Sequence, residues 1–385
     1  MTLRGVLAAA ALLAWPVASW AADVRIAHVT IVSPERKAPL RGATVTLRDG
    51  RIAAITTGAV PKDGVATLDG KGLYLTPGLI DSHVHLTDIA GMTEAQEAEH
   101  PDIAKAARAQ MPKSFLLHGY TTLIDLFSTP GNMARWKSAK LVPDTFFCGG
   151  AVLMGGYPMD VLPMTERYRI PYMLIEPGQT VPPGIDAREH TPAAVVAKMK
   201  KDGAICVKTT FERGFARNRN LPVPRLETIR ELVRAAHAQG LPVMLHANGL
   251  EAQRFGVDAG VDIIVHGLWN APPKSDAAIR LTLDDIVAKK IGWQATIQVI
   301  RSFGDLFRPQ FLDDPLLRAV QPASLIDWYK TAEGQWFRDE IAGGPGKTPD
   351  AQILKGWEAP EAPLLRVTSA LTYLAGHGGR LLFGT

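Results

Sequence analysis

From Pro77 to Thr385 the chain alternates short apolar runs of β character with stretches of helical periodicity, and nothing else in the sequence constrains its fold as strongly. The β-type runs are Gly78–Leu86, Tyr120–Phe127, Thr145–Leu153, Ala204–Phe211, Pro242–Asn248, Asp262–Leu268, Gly292–Val299 and Leu381–Thr385. Helical patterns lie between them, clearest at Pro224–Gln239, Leu250–Ala259, Leu283–Lys289 and Leu364–Gly376. Helical or loop segments at Ile103–Leu117 and Ala193–Lys201 separate the earlier runs. Such alternation predicts parallel pairing, since each helix carries the chain back across the sheet before the next strand begins. Eight runs are what a closed (β/α)8 barrel requires, an α/β TIM-like fold. Two connections are longer than ordinary loops. Met154–His190 is rich in Pro and Gly, and Ile300–Ala362 carries a helix-like piece around Ser324–Ile341. Both follow barrel strands, on the face where sites form, and are read as walls of a cleft.

The preceding segment has a different texture. Val24–Val32, Ala43–Leu47, Arg51–Thr57 and Val65–Leu68 are short alternating runs, with the turn dipeptides Asp49-Gly50 and Asp69-Gly70 between neighbours. They predict a small β-sandwich or meander over residues 23–76, ahead of a barrel over 77–385. Residues 1–22 read as an export signal: Arg4, the apolar run Val6–Ala14, then small residues at Ser19 and Ala21. Pro16 and Ser19 break that run below the length of a membrane span. The expected location is therefore periplasmic or secreted. Two cysteines in 385 residues cannot form a disulfide framework. Cys148 and Cys206 both sit in apolar strand-like runs and are expected as buried thiols. With 42 basic and 38 acidic residues, the net charge of +4 gives no reason to expect nucleic acid or an anionic membrane as partner.

The chemistry-bearing residues cluster at strand ends. His83 and His85 are two apart on the first strand, so pleating turns both imidazoles to one side. Lys208 lies near the end of the fourth strand, in Cys206-Val207-Lys208-Thr209. His246 ends the fifth strand, in Met244-Leu245-His246, and His266 ends the sixth, in Ile264-Val265-His266. A lone His-x-His is weak evidence, and each residue alone has a bland structural reading. Strand C-termini of a barrel converge on one mouth, however, and imidazoles brought together there suit a divalent metal. The other six histidines fall mostly in helical or loop stretches.

The run Tyr74-Leu75-Thr76-Pro77-Gly78-Leu79-Ile80-Asp81-Ser82-His83-Val84-His85-Leu86 resembles the first barrel strand of the metal-dependent amidohydrolase superfamily. Gly119-Tyr120-Thr121-Thr122-Leu123-Ile124-Asp125 is similar to its second strand. The resemblance covers almost the whole mature chain and is closest to the imidazolonepropionase/prolidase-like branch, with its prolidase-like dipeptidases and ochratoxinase-like amidases. It implies two divalent metals, zinc in the usual case, held by His83, His85, Lys208, His246 and His266, with Lys208 carboxylated as the bridge. It also implies an aspartate after the eighth strand, where this sequence stops at Arg380-Leu381-Leu382-Phe383-Gly384-Thr385. The expectation is a truncated record, inactive or weak as it stands, and no catalytic acid or base is assigned.

The implied reaction is hydrolysis of a C–N bond in a small amide, such as an N-acyl amino acid or dipeptide. Opening of a lactam or imide ring is the alternative, as is a metal- or ligand-binding barrel without turnover. Arg213, one of three arginines in Phe211–Asn220, suits a substrate carboxylate, and Tyr157 stands where a residue after the third strand reaches the cleft. The expected partner is thus a small amide or peptide, with no nucleic acid and no stable membrane span. Homo-oligomerisation is left open.

Overall fold

The computed structural model describes residues 23–385 except 160–161, 163–166, 168–169, 182, 215–219, 273, 343 and 345–362. The proposed export signal, Arg217 and Arg219 therefore lie outside the described residues. The chain divides into two compact units between Gly78 and Leu79.

In the first unit, β1 (Val24–Ile31), β2 (Leu40–Arg48), β3 (Arg51–Thr57), β4 (Ala66–Asp69) and β5 (Tyr74–Leu75) form one sheet. The order is β3-β2-β1-β4, with β5 also on β1. The predicted sandwich or meander thus takes the form of a single mixed sheet. Asp49 and Gly50 have φ of 51° and 71°, the left-handed pair that a tight β2–β3 hairpin needs. Asp69-Gly70 does not make a hairpin. β4 and β5 both run parallel to β1 along one edge, at Val24–Ala27 and Thr30–Ile31. Gly70 lies between these stretches and donates to Ala27 O at 2.8 Å; a Cβ there would sit 2.3 Å from Val29 Cγ1. The glycine serves close approach rather than reversal. Val29, Ile31, Ala43 and Val45 form the buried apolar cluster of this sheet.

The second unit is the parallel barrel. Its strands are β6 (Leu79–Val84), β7 (Tyr120–Asp125), β8 (Asp144–Leu153), β10 (Cys206–Thr210), β11 (Val243–His246), β12 (Ile263–Val265), β13 (Gly292–Gln294) and β14 (Arg380–Leu382). They pair in chain order from β6 to β14, while β9 (Met173–Leu174) adds to the end of β8. The ring is nearly closed, with Ser82 N–H donating to Phe383 O at 3.2 Å between the first and last strands. The seventh run was expected to reach Val299, but β13 stops at Gln294 and a helix, Ile297–Asp305, follows at once. Apolar runs this short do not distinguish strand from helix.

The helices have local reasons for their places. Thr191 caps Pro192–Lys201 by accepting from Ala194 N, with Pro192 in the first turn where its missing N–H costs nothing. Leu226–Ala238 buries Thr228, Ile229, Leu232, Val233 and Ala236, a stripe at helical spacing that packs on the barrel. The long connection after β13 holds Ala323–Tyr329 and Trp336–Ile341, two helices where one piece was expected. Leu325 and Trp328 pack against Ile89, Met92, Ala104 and Ala107, so this insertion lies against the segment that follows β6. His100 and Glu333, 2.9 Å apart, add a polar contact between them. No helix among the described residues is long and apolar enough to cross a membrane.

The expectation of two free thiols is corrected. Cys148 and Cys206 are register partners on β8 and β10, with Cα atoms 4.4 Å apart, and they form a disulfide. An apolar run hides a cross-strand partner as readily as it hides a core thiol. Leu126, Met244 and Val265 pack around the pair. Lys208 lies two residues beyond Cys206 on the same face of its strand.

Two outcomes follow for stability. The denatured, unreduced chain should show no reactive thiol and the reduced chain two, and Cys148→Ala with Cys206→Ala should cost about 2–5 kcal/mol in urea unfolding. Trp293→Ala, at a fully buried site in β13, should cost about 3–5 kcal/mol by the same measurement.

Candidate metal centre

Four of the five residues expected as ligands, the histidines, lie at or near strand ends, Lys208 stands mid-strand rather than near the end as expected, and together they face one another in the barrel mouth. His83 is the fifth residue of β6 and His85 follows its last residue. Their ring centroids are 5.3 Å apart, edge to face. His246 closes β11 and His266 follows β12 with a φ of 78°, and their centroids are 4.5 Å apart. His83 and His266 bring the two pairs within 5.0 Å. His83, His246 and His266 are buried, while His85 keeps its ring open to the mouth.

Lys208 stands in the middle of β10, buried, and its Nζ has no hydrogen-bond partner among the described residues. Burial pushes its ammonium down to about 7, because no carboxylate sits close enough to hold the charge. Burial also lowers all four imidazoles, and the charge of Lys208 lowers each of them further. For His85 the Asp125 carboxylate opposes this, and for His246 the hydrogen bond to Glu212 does. The imidazoles are therefore neutral and able to act as ligands. They come as two pairs rather than one tight cage. Three donors within 4.8 Å of one another occur elsewhere, where Glu99 and His100 of the segment after β6 meet Glu333 of the insertion after β13.

Four neutral imidazoles beside a buried amine are a donor set whose chemistry fits divalent metal. A free ammonium repels cations, and a buried amine without a partner is unfavourable in itself. Conversion to a carbamate would supply the anion that four neutral imidazoles lack.

Several partners of these ligands were not singled out from the sequence. Gln294 Oε1 lies 2.8 Å from His83 Nδ1, and Thr296 Oγ1 lies 2.7 Å from His266 Nδ1. Glu212 Oε2 lies 3.2 Å from His246 Nε2 and accepts from Asn248 Nδ2 at 2.6 Å, while its other oxygen accepts from Gly214 N–H. Asp125, at the end of β7, accepts from Leu86 N and Phe127 N, and burial raises its pKa. Asp81 accepts from His83 N and from the Thr385 hydroxyl. Glu212 had a legible signal, a carboxylate directly after a predicted strand end. Gln294 and Thr296 had none, because a neutral polar residue after a short apolar run looks like any strand edge.

The two expected substrate residues fare differently. The Tyr157 ring stands 5.2 Å from that of His246, and its backbone carbonyl accepts from the Thr210 hydroxyl. The Arg213 guanidinium is paired with Glu251 at 2.8 Å, in a solvent-exposed position.

Comparison with known proteins agrees with this architecture. The fold is similar to that of A. niger ochratoxinase, with a TM-score of 0.61 at 19% identity over 94% of this chain and 76% of that one. It is similar too to a prolidase solved with N-methylphosphonate-L-proline, with a TM-score of 0.59 at 18% identity over 94% of this chain and 78% of that one. Among curated proteins, the enamidase of Eubacterium barkeri is 36% identical over 112 residues, 28% of this chain and 26% of the enamidase. The match thus spans about a quarter of that relative. Residues 74–271 match the model of the Amidohydrolase family, just over half of the sequence. That stretch runs from β5 through His83, His85, Lys208, His246 and His266, and on it the chain belongs to the Amidohydrolase family.

Proposed function

We propose that this chain hydrolyses a C–N bond in a small amide, with His83, His85, Lys208, His246 and His266 holding two divalent metal ions, zinc by preference. The observation that carries the reading is the buried, partnerless amine of Lys208 facing four neutral imidazoles. Ions bound there would act as Lewis acids toward the scissile carbonyl and lower the pKa of a water molecule.

The remaining work falls to the chain itself. With its pKa lowered by burial to about 7, Lys208 has a large share of neutral amine at physiological pH. That amine can add carbon dioxide: a new N–C bond forms, one proton leaves to solvent, and the side chain becomes a carbamate anion with two oxygen donors. Glu212 engages Nε2 of His246 and so orients this imidazole. Asn248 and Gly214 hold the Glu212 carboxylate in place. Tyr157, beside His246, is placed to wall the substrate cleft. A substrate carboxylate would have to displace Glu251 before Arg213 could bind it, so Tyr157 is the stronger of the two contacts.

The prolidase-like structures support an N-acyl amino acid or dipeptide as substrate. The local matches to an enamidase and to an L-hydantoinase favour ring opening of a cyclic amide as the second reading. Export is part of the proposal as well, supported by the Cys148–Cys206 disulfide, since such bonds persist in oxidising compartments.

The test is a panel of dipeptides, N-acyl amino acids, lactams and imides with the zinc-loaded chain, beside elemental analysis. Two zinc ions per chain and turnover of at least one class are expected, and a chelator should remove both. Lys208→Ala should hold at most one zinc and lose more than about 100-fold in kcat/KM, beyond what an outer contact contributes. Added short-chain carboxylate should restore part of that loss. Two tightly held zinc ions in Lys208→Ala would sink the bridging role, and zinc without turnover on any class would favour a binding barrel. Glu212→Gln, which keeps the shape but not the charge beside His246, should weaken zinc binding by about 10–100-fold in a chelator competition.

A further inference from the structure

Gln294, the last residue of β13, is fully buried and makes three contacts that determine one another. Its Nε2 lies 3.1 Å from Ser82 O and 2.6 Å from Ser82 Oγ, and its Oε1 lies 2.8 Å from His83 Nδ1. Ser82 O is a backbone carbonyl and only accepts, so the amide nitrogen has to face it. That turns the amide oxygen toward His83. An amide oxygen also only accepts, so His83 Nδ1 carries the proton and Nε2 the lone pair. Ser82 Oγ completes the chain: its O–H donates to Phe383 O, and its lone pair receives the Gln294 N–H. Reversing the amide would set its oxygen against the Ser82 carbonyl and break the arrangement. There is no slack either, since a Cβ on Gly384 would lie 2.7 Å from both Gln294 Cδ and His83 Cβ.

The other two ligand contacts are less decisive or of different character. Thr296 can donate or accept, so its hydroxyl does not by itself choose a tautomer for His266. Glu212 acts on His246 through a charge. Gln294 alone passes the fixed polarity of a backbone carbonyl to an imidazole through a neutral group.

We propose that Gln294 is a positioning residue that locks His83 in the Nδ1–H tautomer, so that Nε2 is the nitrogen offered to metal. The proposal rests on the reading of His83 as a ligand. Ligating histidines commonly donate their other N–H to an acceptor that orients the ring. Here the acceptor belongs to the seventh strand and is itself oriented by the first, so ligand geometry and barrel closure share one side chain.

The experiment uses the chain with ¹⁵N-labelled histidine, free of metal, and reads imidazole tautomers by ¹H–¹⁵N correlation, with His83 assigned by loss of its signal in His83→Asn. His83 should be Nδ1–H in the unsubstituted chain. Gln294→Leu should give a mixed tautomer and bind zinc about 10–100-fold more weakly in a chelator competition. Ser82→Ala keeps the carbonyl that orients the amide and should retain both the tautomer and the zinc affinity, whatever it does to the thermal midpoint. An Nε2–H signal in the unsubstituted chain overturns the proposal, and that reading does not depend on any Gln294 variant folding. Equal zinc affinity in Gln294→Leu overturns it also, as would affinity falling in step with thermal stability in both Gln294→Leu and Ser82→Ala. A chain that binds no zinc at all would overturn the metal reading. The tautomer, measured without metal, keeps that failure apart from a failure of the Gln294 contact.

Discussion

Residues as far apart in sequence as His83 and His266 meet only because a parallel sheet curls until its first strand reaches its last. In this barrel the meeting point is narrow. Ser82 N–H donates to Phe383 O, the Ser82 hydroxyl adds a second bond to the same carbonyl, and Asp81 receives the backbone and hydroxyl of Thr385. These contacts lie within two residues of His83. Closure of the ring and placement of the first imidazole pair are therefore one structural event. The strands between β6 and β14 in the ring are placed by ordinary parallel pairing with their neighbours.

The electrostatics of the mouth follow from what closure excludes. An amine and four imidazoles share the mouth, three of the imidazoles buried, and desolvation lowers the proton affinity of every one. The nearby carboxylates are occupied with other donors. Asp125 is held by Leu86 and Phe127 N–H, Asp81 by His83 N–H and Thr385, and Glu212 by Asn248 and Gly214. Were one of them free to reach Lys208, its ammonium would be stabilised and the neutral amine lost. The pocket thus suits neutral ligands around a nucleophilic nitrogen, a state that proteins rarely bury without a use for it.

Below this layer the barrel interior is dry and cross-linked. Cys148 and Cys206 join β8 to β10 among Leu126, Met244 and Val265. Lys208 rises from the next inward-facing position of β10, so its backbone is tied both by strand pairing and by a covalent bond two residues away. Above the barrel, the insertion after β13 packs its Leu325 and Trp328 on the segment that follows His85. The layer beneath the ligands is accordingly set by apolar packing around the disulfide.

The sequence by itself determined the barrel, because eight apolar runs separated by helical periodicity leave a parallel sheet few other ways to bury both faces. It also determined which residues stand at or near strand ends, His83 and His85 by the period of two and His246 and His266 by position in their runs, whereas Lys208, expected near an end, stands in the middle of β10. Pairing between elements was beyond its reach. The Cys148–Cys206 bond depends on the register of β8 against β10, and the Asp69-Gly70 segment on an edge of β1 that no local pattern marks. The end of β13 and the start of the next helix were settled by packing, since Gly292–Val299 is equally apolar as strand or helix. Gln294 is the clearest case. Its 211 residues of separation from His83 leave no trace in either neighbourhood, and only the closed ring decides that its amide faces one carbonyl and one imidazole. Local chemistry is written in the chain; the partner that gives it direction is chosen by tertiary structure, because a hydrogen bond needs two atoms within about 3 Å and sequence distance says nothing of that.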